Sequence, residues 1–124
     1  MKDDKTTINE IKKKVEEHIQ ERDWEQFHNP KDVAIALSIE AAEILEIFRW
    51  KTPEQMKELL SDPKIKEDLG DELADVLSFI VDLARVTDID LAEAFERKME
   101  KNNKKYPKEL VKGKNHKYTY YQKK

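Results

Sequence analysis

Residues 33–50 read VAIALSIEAAEILEIFRW. Ile, Ala, Leu and Phe fill the run, yet Glu40, Glu43 and Glu46 recur within it at intervals of three. At about 100° per residue a helix projects Glu40 and Glu43 side by side, and sets Val33, Ala36, Leu37, Ile44 and Ile47 within about 60° of Glu40. Glu40 therefore lies among groups expected to be buried, where an unpaired carboxylate must take up a proton or find a cation. Residues 68–77, DLGDELADVL, repeat the arrangement. Leu69, Leu73, Leu77, Ile80 and Ala84 form an apolar stripe, with Glu72 and Asp75 at its edge and Asp68, Asp71 and Asp82 crowding the same side. Like charges at this spacing repel by roughly 0.2–0.5 kcal/mol per pair, and a bound divalent cation reverses the sign. Hard cations want oxygen ligands, and Mg²⁺ takes a few carboxylates together with substrate phosphates. Two such pairs on facing helices would bring four carboxylates together. Glu-x-x-Glu is also common on solvated helices, so it is the apolar setting that carries the argument. The three histidines, His18, His28 and His116, show no His-x-x-x-His spacing, which argues against a transition-metal site.

The rest of the chain reads as helix as well. With two glycines and four prolines in 124 residues, turn and hairpin signals are scarce, while Glu, Lys, Leu, Ile and Ala abound. Thr7 and Glu10 form a capping box that opens a first helix carrying Ile8, Ile11, Val15 and Ile19. ERDWEQFHNP interrupts the period, and Asn29-Pro30 is an N-cap followed by proline for a second helix from about Lys31 to Trp50. Thr52-Pro53-Glu54 opens a short third helix that ends near Ser61-Asp62-Pro63. A fourth runs from about Lys64 to Val86, and a fifth starts at Asp88 or Asp90 and fades before Tyr106-Pro107. The tail, VKGKNHKYTYYQKK, is basic and aromatic without a clear period. The expectation is an all-α single domain over 1–124, with a core at about 7–106 and a basic tail at 107–124.

Composition narrows the function classes. The net charge of −3, from 27 acidic and 24 basic residues, argues against broad attraction to nucleic acid or to an anionic membrane. No apolar run approaches the roughly 20 residues of a membrane span, and MKDDKTTINE lacks the apolar segment of a signal peptide. The absence of cysteine suits a reducing cytoplasm, where we expect the protein. A chain this short with 38% hydrophobic residues has a thin core, so part of its apolar surface is expected to be buried between subunits.

ERDWEQFHNP, EAAEILEIFRW, DELADVL, KMEKNNKKYP and KYT, in this order, closely resemble the dCTP pyrophosphatase branch of the MazG-like nucleotide pyrophosphohydrolases, over roughly residues 8–120. The resemblance implies a bundle of four to five helices completed by tight subunit pairing, often as a tetramer made of two dimers. It implies cleavage of a nucleoside triphosphate between the α and β phosphates, with Mg²⁺ required and Mn²⁺ able to substitute. Glu40, Glu43, Glu72 and Asp75 match the metal-binding and catalytic carboxylates, with Glu43 the choice for activating water. Trp24 and Trp50 match tryptophans that line the base pocket. Lys98 and Asn102, one helical turn apart, match residues that contact phosphate or sugar, with Tyr106 on the same wall and His28 ordering the loop or meeting phosphate. Two departures bear on base preference. Phe79 stands where relatives often have Tyr, and Val15 where the animal members have His. The basic residues of the tail, among them Lys114, Lys117, Lys123 and Lys124, would either close over phosphates or remain solvated. His18, beside Glu16, Glu17 and Glu21, reads as surface. The implied role is nucleotide-pool house-cleaning on dCTP and its modified forms. The alternatives are another (d)NTP, a non-catalytic helical dimerisation module and, more weakly, a nucleic-acid-binding module suggested by the tail.

Overall fold

The computed structural model describes residues 1–122, so Lys123 and Lys124 lie outside the described residues. The chain divides into two compact units, Met1–Asp88 and Ile89–Lys124. The first contains α1 (Ile8–Glu21), a 3₁₀ turn (Glu25–Phe27), α2 (Pro30–Phe48), α3 (Pro53–Leu59) and α4 (Pro63–Val86). The second contains α5 (Leu91–Lys105) and two single-turn helices, α6 (Lys108–Val111) and α7 (Tyr118–Tyr121), which the aperiodic tail sequence does not announce. The described residues contain no strand.

Short polar side chains start the five longer helices. Thr7 accepts from the Glu10 amide while the Glu10 side chain accepts from the Thr7 amide, and Thr52 and Gln55 repeat the exchange. Asn29, Asp62 and Asp90 cap α2, α4 and α5, and proline occupies the first turn of α2, α3 and α4, where its missing N–H costs nothing. Asp23, Trp50 and Asp88, each just past a helix end, carry positive φ. After α1 the amide of Asp23 reaches Gln20 O and that of Trp24 reaches Ile19 O, a Schellman closure made without glycine.

Helix α2 makes its main packing contact with α4, and α4 also packs on α1. The half-buried or buried positions of α2 include Val33, Ala36, Leu37, Glu40, Ile44 and Ile47, as the period predicts. On α4 the corresponding seam is Ile65, Leu69, Glu72, Val76, Phe79, Leu83 and Val86, spaced alternately by four and three. This corrects the expected stripe in two respects. Glu72 belongs to the seam rather than its edge, and Leu73, Leu77 and Ile80 are exposed, because they lie roughly 80–140° round the helix from Glu72, off the seam with α2. Ile19 of α1 and Val81 and Ala84 of α4 are buried, each large aliphatic side chain contributing on the order of 1.5–3 kcal/mol. Asp82, expected among the acids crowding one side of the stripe, is 1% exposed.

Candidate active site

Glu40 on α2 and Glu72 on α4 occupy seam positions, so packing these two helices sets their carboxylates against each other. Together with Glu43 they offer carboxylate oxygens that all lie within 4.8 Å of one another. Glu40 and Glu72 are half-buried and Glu43 is exposed. Oε2 of Glu40 and Oε2 of Glu72 are buried and have no hydrogen-bond partner. Such oxygens are costly to bury unless a proton or a cation meets them. Burial first, then Glu43 and the charges of Glu43 and Asp75, push the Glu40 carboxyl above the usual range. The Glu43 carboxylate, close enough to share a proton, pushes Glu72 up to about 7, with burial and the neighbouring charges adding to the effect. This donor set is all carboxylate and suits a hard divalent cation. Of the other acids on α4, Asp68 is paired with Lys64 at 2.9 Å.

Beside the acids, the first unit holds a cavity of about 560 Å³. Asp75, Ser78, Phe79 and Asp82 form its α4 wall, Ile11, Lys14, Val15, His18 and Ile19 its α1 wall, and Trp24, His28 and Met1 complete it. Phe79 and Val15, the two departures from the family pattern, thus line the same space as Trp24. The Schellman closure that turns the chain after α1 places Trp24, whose ring meets His18 edge-on at 6.0 Å.

His28 is anchored from below. Its Nδ1 lies 2.6 Å from Oδ2 of Asp82, whose Oδ1 accepts from Arg85 Nε at 3.0 Å and Nη2 at 2.8 Å. The same guanidinium donates to both carboxylate oxygens of Glu25, at 2.7 and 3.2 Å. These bonds tie the 3₁₀ turn to α4 and hold the Glu25 carboxyl below the usual range, chiefly through Arg85.

The structure thus brings Glu40, Glu43 and Glu72 together and places Asp75, Trp24, His28 and Phe79 around the adjoining cavity. Trp50 is not in that wall. It stands 87% exposed past α2, at φ +62°, with the Arg49 guanidinium 5.3 Å over its ring. Lys98, Asn102 and Tyr106 belong to the second unit. Lys98 and Asn102 lie on α5, Tyr106 ends it, and the Tyr106 ring meets those of Tyr118 and Tyr121 edge-on. His18 is exposed as read, yet it lines the cavity, and Lys14 does too. Sequence reasoning missed both, along with the pairing of Asp82 and Arg85. The available signal was a charged pair three apart inside the apolar stretch SFIVDLARV.

Residues 35–120 match the model of the MazG-like family. dCTP pyrophosphatase 1 of Mus musculus is 39% identical over 113 residues, covering 91% of this chain and 66% of that protein. The Homo sapiens protein of the same name is 38% identical over the same length, with 91% and 66% covered. This chain therefore spans about two thirds of the length of these relatives. A solved pyrophosphatase from Archaeoglobus fulgidus DSM 4304 superposes with a TM-score of 0.75 at 40% identity, covering 81% of this chain and 92% of that one. Two glutamates in one helical seam, an aromatic cavity beside them and these matches lead to one assignment: the chain belongs to the MazG-like family.

Proposed function

We propose that the protein is a Mg²⁺-dependent nucleoside triphosphate pyrophosphohydrolase that converts dCTP and modified dCTP into dCMP and pyrophosphate, with Mn²⁺ able to substitute. The observation that carries this reading is the pair of buried, partnerless oxygens of Glu40 and Glu72 beside an aromatic cavity. The activity named for the mammalian relatives supports it. Glu40, Glu43, Glu72 and Asp75 hold the metal. A Mg²⁺ held there would supply charge neutralisation for the triphosphate and polarisation of the phosphorus under attack. Glu43, the exposed member of the cluster, orients the attacking water and takes its proton. The water oxygen bonds to the α phosphorus, the bond to the α–β bridging oxygen breaks, and pyrophosphate leaves. Trp24 and Phe79 sandwich the base, stacking being worth roughly 1–3 kcal/mol per ring. Lys98, Asn102 and Tyr106, on the second unit, are proposed as residues for phosphate and sugar on the family resemblance alone. The protein works as a homo-oligomer, a dimer of dimers, which the exposed Ile35, Ile39, Leu73, Leu77 and Ile80 favour. The described residues contain no helix long and apolar enough to cross a membrane.

The test is incubation with Mg²⁺ and each common NTP and dNTP, plus 5-methyl-dCTP, with products resolved by ion exchange. Formation of dCMP and pyrophosphate from dCTP supports the proposal. An inert protein with every nucleotide and metal removes it and favours the dimerisation module.

Trp50 gives a separable prediction. A tryptophan at left-handed φ costs roughly 1–2 kcal/mol that glycine does not incur. Trp50→Gly is expected to leave the melting temperature unchanged or raised while KM for dCTP rises roughly tenfold or more, because the proposed oligomer would bring this exposed ring, which lies outside its own chain's cavity, to a base bound in a partner subunit. A fall in melting temperature with normal KM would make Trp50 structural.

The acid cluster sets a pH prediction. Glu72 titrates near 7 in the folded chain, against 4.5 for an ordinary glutamate. Between those values the folded state binds more protons than the unfolded one. Stability from this group is therefore complete below about 4.5 and is lost as pH rises towards about 7. Metal-stripped protein should melt at progressively lower temperature from pH 5 to pH 7.5, and Mg²⁺ should restore the loss at pH 8 and add little at pH 5. Scanning calorimetry with and without EDTA reads both effects, and a melting temperature indifferent to Mg²⁺ at pH 8 would count against the metal site.

A further inference from the structure

The His28–Asp82–Arg85 chain is built where a surface loop would not need it. Asp82 is 1% exposed and His28 18%, and both border the cavity that the proposed function assigns to the base. Arg85 carries donors only, and it uses Nε and Nη2 on Oδ1 of Asp82. An ionised Asp82 can only accept at Oδ2, so the hydrogen in the 2.6 Å contact belongs to His28 Nδ1. A neutral imidazole protonated on Nδ1 has a bare Nε2. His28 lines the cavity, and Nε2 is the ring nitrogen that Asp82 does not engage.

We infer that Asp82, fixed by Arg85, is a positioning residue that sets His28 as a hydrogen-bond acceptor, so that the pocket selects pyrimidine nucleotides bearing a 4-amino donor over those bearing a 4-carbonyl. The inference rests on the reading of the cavity as the base pocket. It places selectivity in a polar contact, which the apolar Val15 and Phe79 cannot supply. A site built around one hydrogen-bonding partner rejects the analogue of opposite polarity, because the buried acceptor then meets another acceptor.

Asp82→Asn tests this by reversing the polarity with almost no change of shape. Arg85 still demands an oxygen, so the new carbonyl turns to the guanidinium and the amide NH₂ turns to His28 Nδ1. Nδ1 must then accept, and the proton moves to Nε2, which becomes a donor. We expect the dCTP:dUTP ratio of kcat/KM to fall roughly 10- to 100-fold in Asp82→Asn, with part of the change arising from improved use of dUTP. ¹⁵N spectra of histidine-labelled protein should show Nδ1 protonated and Nε2 bare in the wild type, and the reverse in the variant. A wild-type ring protonated on Nε2 overturns the inference even if the variant does not fold. So does an unchanged dCTP:dUTP ratio in a folded variant whose tautomer has switched. A wild type that hydrolyses no nucleotide defeats the proposed activity itself, whereas an active wild type whose preference ignores Asp82 defeats only this assignment.

Discussion

Glu40→Gln, and equally Asp75→Asn, should reduce turnover by roughly 10²–10³-fold or more while the metal-free protein melts at the same or a higher temperature. The two halves of this result have one cause. Glu40 places a carboxylate oxygen in the α2–α4 seam with no partner, facing Glu43 and the charge of Asp75. Without metal, removing one charge relieves repulsion and lets an amide hydrogen meet a neighbouring carboxylate. With metal, the same change would withdraw a proposed ligand and leave the proposed triphosphate substrate facing an incompletely neutralised acidic site. Activity assays and thermal melts on the same preparations check it. Wild-type turnover in either variant would remove the site assignment, and a large drop in metal-free melting temperature would make these carboxylates structural.

Arg85→Ala is expected to have the largest effect on stability. Its side chain is 10% exposed and binds both Asp82 and Glu25. Removing it leaves Asp82, almost wholly buried, with His28 alone. Breaking a buried pair from one side costs about 3 kcal/mol or more, a fall in melting temperature of roughly 10 °C for a chain of this size. Arg85→Lys should recover only part, since a single ammonium cannot replace the planar fork that serves two carboxylates. The double variant Asp82→Leu/Arg85→Leu should be more stable than Arg85→Ala, because no charge is then stranded. Calorimetry on the three variants decides this, and a double variant no better than the single one would mean that packing rather than charge holds this corner.

Much of this was legible in the sequence because it is local. Caps at Thr7, Asn29 and Thr52 lie within three residues of their partners, and the apolar period of residues 33–47 faces α4 as expected. The helix pair and the Glu40–Glu43 pairing follow from spacing alone. On α4 apolar residues occupy more than one face, so period could not tell the seam through Glu72 from the exposed flank through Leu73 and Leu77. The Asp82–His28 contact joins residues 54 apart, and no local rule predicts it. His18 was read against its acidic neighbours, although the turn after α1 brings Trp24 back over it. The second helix reads as ending at about Trp50, and the left-handed backbone there depends on how the chain leaves α2.

Helix α4 carries Glu72, Asp75, Phe79 and Asp82 on one rigid rod. At 1.5 Å per residue, the acids that would face phosphate and the group that orients the base reader stand about 15 Å apart along its axis. On the proposed reading the helix is a ruler whose graduations match chemistry at one end and selectivity at the other. Exchanging a side chain rewrites one graduation and leaves the scale intact. Inserting or deleting a single residue between Glu72 and Asp82 would rotate one end by about 100° against the other. Under the proposed function, base preference can change by substitution, but these eleven positions leave almost no freedom to change length.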